Sequence, residues 1–319
     1  MMNLSQLHHF QLVAREGSFV RAAELANITQ PALSNSVRSL ERKLGFDLFE
    51  RSERPITLTP EARSILARVD ALMFEARNLD QTLENLASGL GGHIRLGMTA
   101  VFSSALGGPV IAEFHNAHPQ VKLDLIMQET VALLEGLHDD SLDLIVGDVR
   151  DLPANSEGLH IVELPPQPGC AFCRAGHPIL NIRHPKPSDL AQYQFAGTFF
   201  PADVTNAFGR VIERDTLRTE PTISIDSHNI AALGDAVAAS DLILLTTPGT
   251  VRNALALGTL KRVQIDLGID GRWSVVTRKG RTTHSAVPQL IQKIAEIGKR
   301  ENDPELASNV GQFAPMRSD

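Results

Sequence analysis

The sequence predicts an α/β protein that begins with a small helical unit, and three patterns carry that prediction. Apolar residues recur every three or four positions within residues 1–59, which is typical of short amphipathic helices. The same spacing continues without a break over residues 60–88, which indicates one long helix. Beyond the glycine-rich joint at residues 88–92, short apolar runs alternate with helical stretches, which favours an α/β domain with mostly parallel strands.

Composition is that of an ordinary globular protein with room for two or three domains. The 319 residues are 43% hydrophobic and 21% charged, and they contain no apolar run of about 18 residues that could span a membrane. The N-terminus lacks the basic and apolar segments of a signal peptide, so we expect none. Two cysteines make no disulfide framework, which fits a reducing cytoplasm, and we expect neither a metal nor a cofactor.

The net charge of −7 argues at first against a nucleic-acid partner, but its distribution matters more than its sum. Residues 1–58 carry seven basic and six acidic side chains, which leaves a net charge of +1. A region this weakly basic binds DNA poorly without specific contacts. Useful affinity would therefore need dimerisation and base-specific recognition.

Residues 18–49 predict a helix-turn-helix preceded by a first helix over residues 4–15. Ser18 and Thr29 are suited to cap the two helices, and Pro31 is tolerated in the first turn of the second helix. Leu33, Val37, Leu40 and Leu44 form a buried face of that second helix. The opposite face carries side chains that can reach base edges and phosphates in a major groove: Gln30, Ser34, Asn35, Arg38 and Arg42. The pattern also fits an ordinary helical hairpin with a solvated polar face.

A specific resemblance decides between these alternatives. It is carried by Phe10, Val13, Ala14, Gly17, Ser18, Phe19, Ala22, Ala23, Leu25, Thr29, Gln30, Pro31, Ala32, Leu33, Ser34, Leu40, Glu41, Leu44, Gly45, Leu48, Phe49, Arg51, Leu58 and Thr59. This set resembles the N-terminal signature of LysR-type transcriptional regulators. The departures are Asn35-Ser36 and Ala62, and the first of these would change which bases are contacted.

The resemblance implies double-stranded DNA as a partner. The residues that would contact it are Ser18, Thr29, Gln30, Pro31, Ser34, Asn35, Arg38, Arg42, Arg51 and Arg54.

Residues 46–59 predict the wing of a winged helix-turn-helix. Segments 47–50 and 56–59 can pair around residues 52–55, with Arg51 and Arg54 beside the tip. The resemblance implies that these arginines meet the DNA backbone or the minor groove. Alternatively, they form surface ion pairs with Glu50 and Glu53.

Residues 60–88 predict a dimerisation helix. Its apolar residues follow alternating spacings of three and four for nearly four heptads, from Ala62 onwards: Ile65, Val69, Leu72, Ala76, Leu79, Leu83 and Leu86. Such a helix would hold two heads over a two-fold symmetric site as a homodimer. The alternative is a helix that packs on its own C-terminal domain. A dimer of dimers is implied by the resemblance alone.

Residues 89–300 predict the α/β effector-binding domain, followed by a frayed tail at residues 301–319. The expected strands are residues 94–98, 121–127, 142–147, 160–164, 171–174, 195–198, 222–226, 242–246, 263–266 and 273–277. Helices are expected, among other places, at residues 103–117, 202–214, 229–239 and 287–300. The resemblance implies two Rossmann-like halves, as in periplasmic solute-binding proteins. Residues 92–165 with 267–300 would form one half, and residues 166–266 the other.

Ligands of open α/β sheets lie beyond the carboxyl ends of the strands, where helices begin. Hydroxyl, basic and aromatic side chains follow several predicted strand ends: Thr99, Phe102, Ser103, Ser104, Asp148, Arg150, Thr198, Phe200, Ser227 and His228. We expect them to bind a small anionic organic effector, such as a carboxylate. The alternative is that the hydroxyls only cap helices.

The favoured function is a ligand-responsive, DNA-binding regulator. Its effector would close the cleft, change the packing of dimers, shift the DNA bend and alter contact with RNA polymerase. A redox sensor that uses Cys170 and Cys173 is an alternative, although residues three apart in a strand face opposite sides. An enzyme on the α/β domain is another, although the sequence has no nucleophile elbow, P-loop, dinucleotide fingerprint or metal cluster.

Overall fold

The structure is a computed structural model that describes residues 3–50, 55–88, 91–148, 150, 152, 158–212 and 223–302. The chain divides into two compact units, residues 1–86 and residues 87–319. This division falls two residues before the end of the long helix. Within the described residues, no helix is both long enough and apolar enough to cross a membrane.

The N-terminal unit is the winged helix-turn-helix that the sequence predicts. Its elements are α1 (Leu4–Glu16), α2 (Phe19–Leu25), α3 (Gln30–Leu44), β1 (Phe49–Glu50), β2 (Thr57–Leu58) and α4 (Pro60–Ser88). The three short helices pack on one another around the fully buried Phe10, Leu33 and Leu40. β1 and β2 pair in antiparallel fashion as the base of the wing. The tip with Arg51 and Arg54 lies outside the described residues.

A buried carboxylate ties the recognition helix to the wing. Glu41 lies on the inner face of α3, and its Oε1 accepts a hydrogen bond of 3.0 Å from the backbone N–H of Leu48. The next strand is held by the backbone N–H of Thr59, which donates to the carbonyl of Leu48 at 3.1 Å. A charged residue is therefore buried on α3 because the turn into the wing needs an acceptor.

The long helix α4 has two different surroundings along its 29 residues. Its first half packs into the N-terminal core through Ala62, Val69 and Met73, and Asp70 accepts a hydrogen bond from Gln11 of α1 at 2.6 Å. From Leu72 onward the leucines of the predicted seam are exposed: Leu72 is 47%, Leu79 59%, Leu83 54% and Leu86 76% exposed. Ile65 and Val69, both predicted to lie in a dimer seam, thus pack within their own unit, and the exposed seam begins at Leu72.

The second unit contains two five-stranded sheets with the same pattern of parallel and antiparallel strands. The first has the order β4 (Val121–Met127), β3 (Gly92–Met98), β5 (Leu144–Asp148), β14 (Trp273–Arg278) and β6 (Leu159–Glu163). The second has the order β10 (Ile225–Asp226), β9 (Phe195–Gly197), β11 (Ile243–Thr246), β8 (Cys170–Arg174) and β12 (Leu260–Arg262). In each sheet the first three strands in this order are parallel. The fourth strand runs antiparallel to the third, and the fifth runs antiparallel to the fourth.

Helices accompany both sheets. They are α5 (Ala100–Phe102), a π-helical turn (Ser103–Gly107), α6 (Gly108–Ala117), α7 (Thr130–His138), α8 (Ala202–Val211), α9 (Ile230–Ala238), α10 (Arg252–Leu257) and α11 (Val287–Asn302). Three of the four helices whose bounds the sequence predicts, α8, α9 and α11, begin within one residue of the expected position. Each half has an apolar core of its own between sheet and helices.

The chain crosses between the halves through a short antiparallel ribbon. β7 (Gln167–Pro168) pairs with β13 (Asp270–Gly271), close to both predicted crossover points. The N–H of Gly169 donates to the carbonyl of Ile269 at 2.7 Å. A Cβ atom at Gly169 would lie 2.9 Å from that oxygen, so the close approach requires glycine.

Three sequence predictions need correction. The sheets are mixed rather than mostly parallel, because β14 and β8 each follow a crossover directly and run against their neighbours. The strand predicted at residues 263–266 ends earlier, at Arg262. The N–H of Ile265 donates to the carbonyl of Val263, and this tight turn leads the chain out of the sheet. The helix predicted from Ser103 instead begins at Ala100.

We expect Glu41→Ala to destabilise the N-terminal unit by about 1–3 kcal/mol, because the buried N–H of Leu48 would lose its acceptor. Urea denaturation of the full chain measures this change. Glu41→Gln, which keeps an amide oxygen, should be milder. Glu24→Ala, at an exposed position of α2, is the matched control. Equal stability of the Glu41→Ala and Glu24→Ala proteins would contradict the assignment.

Candidate functional site

The first candidate site is the exposed polar face of α3. The hydroxyl of Thr29 caps the helix by accepting the N–H of Ala32 at 3.4 Å, and Pro31 occupies the first turn. Asn27 has a φ of 52°, which makes the sharp turn before the helix. Exposed on this face are Gln30, Pro31, Asn35, Arg38 and Arg42, while Ser34 is half-buried.

Ser18 has a structural task besides its predicted one. Its hydroxyl accepts the N–H of Arg21 at 3.4 Å and so caps α2. Arg21 in turn lies 3.3 Å from the carboxylate of Glu16. The helix that crosses behind α3 is therefore fixed at its start, which holds the recognition helix in one orientation.

The second candidate site is a cavity of about 440 Å³ between the halves of the second unit. Residues at the carboxyl ends of four strands line it: Thr99 after β3, Asp148 of β5, Thr198 after β9 and Thr246 of β11. Most of the remaining wall is apolar: Val101, Phe102, Val131, Phe199, Phe200, Val204, Phe208, Ile223, Leu245, Leu267, Ile269 and Trp273. The volume and lining are typical of a site for a small organic molecule.

The structure places seven of the ten predicted effector residues along this cavity: Thr99, Phe102, Asp148, Arg150, Thr198, Phe200 and His228. It places Ser103, Ser104 and Ser227 elsewhere. Ser103 and Ser104 lie inside the π-helical turn because the helix starts three residues earlier. The hydroxyl of Ser227 accepts the N–H of Asn229 at 3.1 Å and so serves the turn before α9. For Ser227 the helix-capping alternative therefore describes the observed contact.

The charged side chains of the cavity are paired. Arg150 holds Asp148 in a two-point contact, with Nε–Oδ1 and Nη2–Oδ2 distances of 2.8 and 2.5 Å. The N–H of Arg272 also donates to Asp148, at 3.0 Å. Nε2 of His228 lies 2.9 Å from Oε1 of Glu129, and this contact joins the two halves across the cleft.

Sequence reasoning missed several lining residues. Thr246 ends a predicted strand and Thr247 follows it, so both could have been found by the rule that identified Thr198. Gln128 and Glu129 likewise follow the correctly predicted strand β4. Trp273 and Cys170 carried no such signal, because a buried apolar residue in a strand resembles any other core residue.

The two cysteines are buried on opposite faces of β8. Cys170 packs with one cluster of apolar residues and Cys173 with another. Burial raises the pKa of both thiols, that of Cys173 to about 11. This environment keeps thiols protonated and unreactive at neutral pH. Among the described residues, no group of three or more His, Cys, Asp or Glu side chains could hold a metal.

Comparisons with known proteins match both units. Residues 4–63 match the family described as "Bacterial regulatory helix-turn-helix protein, lysR family", and residues 87–298 match the "LysR substrate binding domain". The chain is 34% identical over 295 residues to the "SDS degradation transcriptional activation protein" of a Pseudomonas species, which covers 91% of this chain and 94% of that protein. It is 29% identical to the "HTH-type transcriptional regulator CfxR" of Cupriavidus necator, with 94% of each covered.

Solved structures share the fold. A full-length OxyR variant from Pseudomonas aeruginosa aligns with a TM-score of 0.62 at 21% identity, covering 94% of this chain and 95% of that one. Full-length BenM aligns with a TM-score of 0.52 at 24% identity, covering 95% and 100%. At such identities these structures bear on the fold alone. The family matches over both units and the 34% identical relative show that the chain belongs to the LysR family of ligand-responsive, DNA-binding transcriptional regulators, which are not enzymes.

Proposed function

We propose that this regulator contacts a two-fold symmetric promoter site through the polar face of α3 and the wing, in the cytoplasm. The observation that carries the proposal is the row of exposed amide, hydroxyl and guanidinium groups on a helix capped at Thr29. Such side chains at the N-terminal end of a recognition helix reach base edges in the major groove. Arg51 and Arg54, which lie outside the described residues, would add contacts to the DNA backbone.

We expect Arg38→Ala to weaken binding to the promoter site by about 1–3 kcal/mol, or roughly 5- to 150-fold, if the guanidinium contacts a base. Footprinting upstream of the protein's own gene locates the site, and titration at fixed salt measures the loss. Arg210→Ala removes one exposed arginine from α8 of the other unit and serves as the control. Equal affinity of the two variants would remove Arg38 from the interface.

We propose that a second copy of the chain covers the exposed apolar seam of α4. Leu72, Leu79, Leu83 and Leu86 lie on the half of the helix that leaves the N-terminal core. Their spacing of seven, four and three residues is that of a two-helix seam. A homodimer built on this seam would supply the second head for the two-fold site, and a dimer of dimers would extend the contact along the promoter.

Leu79→Asp combined with Leu83→Asp should convert the dimer to a monomer of 34.7 kDa, because charges would then be buried in the apolar seam. Light scattering after size-exclusion chromatography measures the mass. Leu257→Asp, at a leucine that is 79% exposed on α10, controls for the added charge. A variant that keeps its dimer mass would show that α4 does not form the interface.

We propose an effector with an apolar body, bound in the 440 Å³ cavity. Aromatic and aliphatic side chains form most of its wall. The relative at 34% identity is named for the degradation of SDS, and the alkyl chain of that molecule, although not its negatively charged sulfate head, fits the same lining. Effector binding would draw the two halves together, change the packing of dimers and the DNA bend, and so alter contact with RNA polymerase.

A thiol switch is the alternative that we expect to fail. Because burial raises the pKa of Cys173 to about 11, only about a thousandth of it is thiolate at pH 8. Iodoacetamide should therefore leave both cysteines of the native protein unmodified and label both after unfolding. Rapid labelling of the native protein, together with loss of peroxide-dependent promoter output in the Cys170→Ala/Cys173→Ala variant, would restore the redox alternative.

A further inference from the structure

The charged side chains around the effector cavity indicate the chemical class of the ligand. This inference rests on the proposed effector function. Four side chains of the wall are those of aspartate, glutamate, arginine or histidine, and they form two pairs: Asp148 with Arg150, and Glu129 with His228. A charged ligand group loses its hydration when it leaves water, and an opposite charge that is not already engaged compensates that loss best. In the described wall, Arg150 is paired with Asp148, and Oε1 of Glu129 is already in contact with Nε2 of His228.

Arg150 is the cation that an anionic effector would require, and its position makes it a poor one. Its Nε and Nη2 face the two oxygens of Asp148, and its Nη1 lies 3.8 Å from the carboxylate of Asp203. Two carboxylates thus surround one guanidinium, and Glu129 adds a third carboxylate to the wall. A ligand carboxylate would enter a region where negative charges equal or exceed positive ones. The anionic effector expected from the sequence is therefore disfavoured.

Uncharged hydrogen-bonding groups, by contrast, are available along the wall. Thr247 is 6% exposed, and its hydroxyl is buried without a hydrogen-bond partner among the described residues. A buried hydroxyl without a partner is unfavourable, and a ligand oxygen can relieve that cost. Thr99 also lines the cavity, and its side chain does not cap the helix that it precedes.

We propose that the effector is an uncharged amphiphile, with an apolar body along the aromatic wall and an alcohol or carbonyl head that hydrogen-bonds to the threonine hydroxyls. The proposal deepens the effector function and is independent of DNA binding.

Three probes with the same alkyl chain and different head groups test the proposal: decan-1-ol below its solubility limit, and decanoate and decylammonium below their micelle-forming concentrations. Trp273, the single tryptophan of the chain, lines the cavity, so its fluorescence reports binding directly. We expect decan-1-ol to bind at least about tenfold more tightly than either charged probe. Equal or tighter binding of decanoate or decylammonium would overturn the proposal, and so would the absence of a response to decan-1-ol.

Asp148→Asn tests the cause of the discrimination. Removing this carboxylate takes away the closer of the two carboxylates beside Arg150 and leaves the exposed carboxylate of Asp203 at 3.8 Å, so decanoate should gain at least about tenfold in affinity. Asp203→Asn, at an exposed carboxylate on α8, is the matched control and should change decanoate binding less. An Asp148→Asn protein that melts like wild type and still rejects decanoate would overturn the charge argument. If the variant fails to fold, the binding of the three probes to the wild-type protein still tests the proposal.

Thr247→Val tests the head-group contact. The substitution removes a hydroxyl that has no described partner, so the melting temperature should stay the same or rise. Binding of decan-1-ol should weaken about fivefold. Thr259→Val is the control, because its hydroxyl bonds to the carbonyl of Ala254 and the residue does not line the cavity. Unchanged alcohol binding in Thr247→Val would overturn the assignment of this hydroxyl.

Footprinting of the same proteins separates the two levels of inference. Retained protection of the promoter site by a protein that binds no decyl probe would overturn the uncharged amphiphile and leave the DNA-binding function in place. Loss of protection in the wild-type protein would count against the proposed promoter contacts, whatever the fluorescence shows.

Discussion

The effector cleft depends on one constraint, which is that the chain passes between its two sheets twice at a single point. β7 and β13 pair there, and the N–H of Gly169 contacts the carbonyl of Ile269 at 2.7 Å, too close for any side chain at residue 169. Gln167 is buried beside this ribbon and donates to the carbonyl of Gly298 on α11 at 2.9 Å. A narrow connection fixed in this way leaves the space between the halves open, and the carboxyl ends of their parallel strands face that space.

That space combines an apolar wall with neutralised charges, and both properties have the same cause. A carboxylate in a partly buried site is tolerated when it is hydrogen-bonded and paired, which is how Asp148 is held by Arg150 and by the N–H of Arg272. Once that need is met, the arginine is engaged, and what remains for a ligand is apolar surface and threonine hydroxyls. The residue that looks like an anion receptor in the sequence is therefore, in the fold, a partner for its own neighbour.

How well a feature could be predicted from the sequence depends on the range of the interactions that determine it. The helix-turn-helix could be predicted because its determinants are local: the hydroxyl of Thr29 caps α3 by accepting an N–H only three residues along the chain, and Asn27 sets a turn by its own φ angle. Strand ends could be predicted from apolar runs. Thr99 and Thr198 were expected near the cavity for that reason, and both line it. The pairing of Asp148 with Arg150 depends on side-chain direction, which spacing does not give.

The prediction that Ser103 and Ser104 line the cavity was wrong for a related reason. The helix begins three residues earlier than expected, and this shift moves both hydroxyls away from the strand ends.

The two surroundings of α4 give the dimer seam a consequence for DNA recognition. Its first half shares a core with α1 through Val69 and Met73, so the head cannot rotate about the helix without disrupting that core. Its second half presents Leu72 to Leu86, about 21 Å of exposed apolar surface at 1.5 Å per residue. A partner that packs on this surface fixes the helix and, through the shared core, the head as well. In the proposed homodimer, the packing of two copies of α4 would then set the distance between the recognition helices, so any change that an effector makes to that packing would reach the DNA directly.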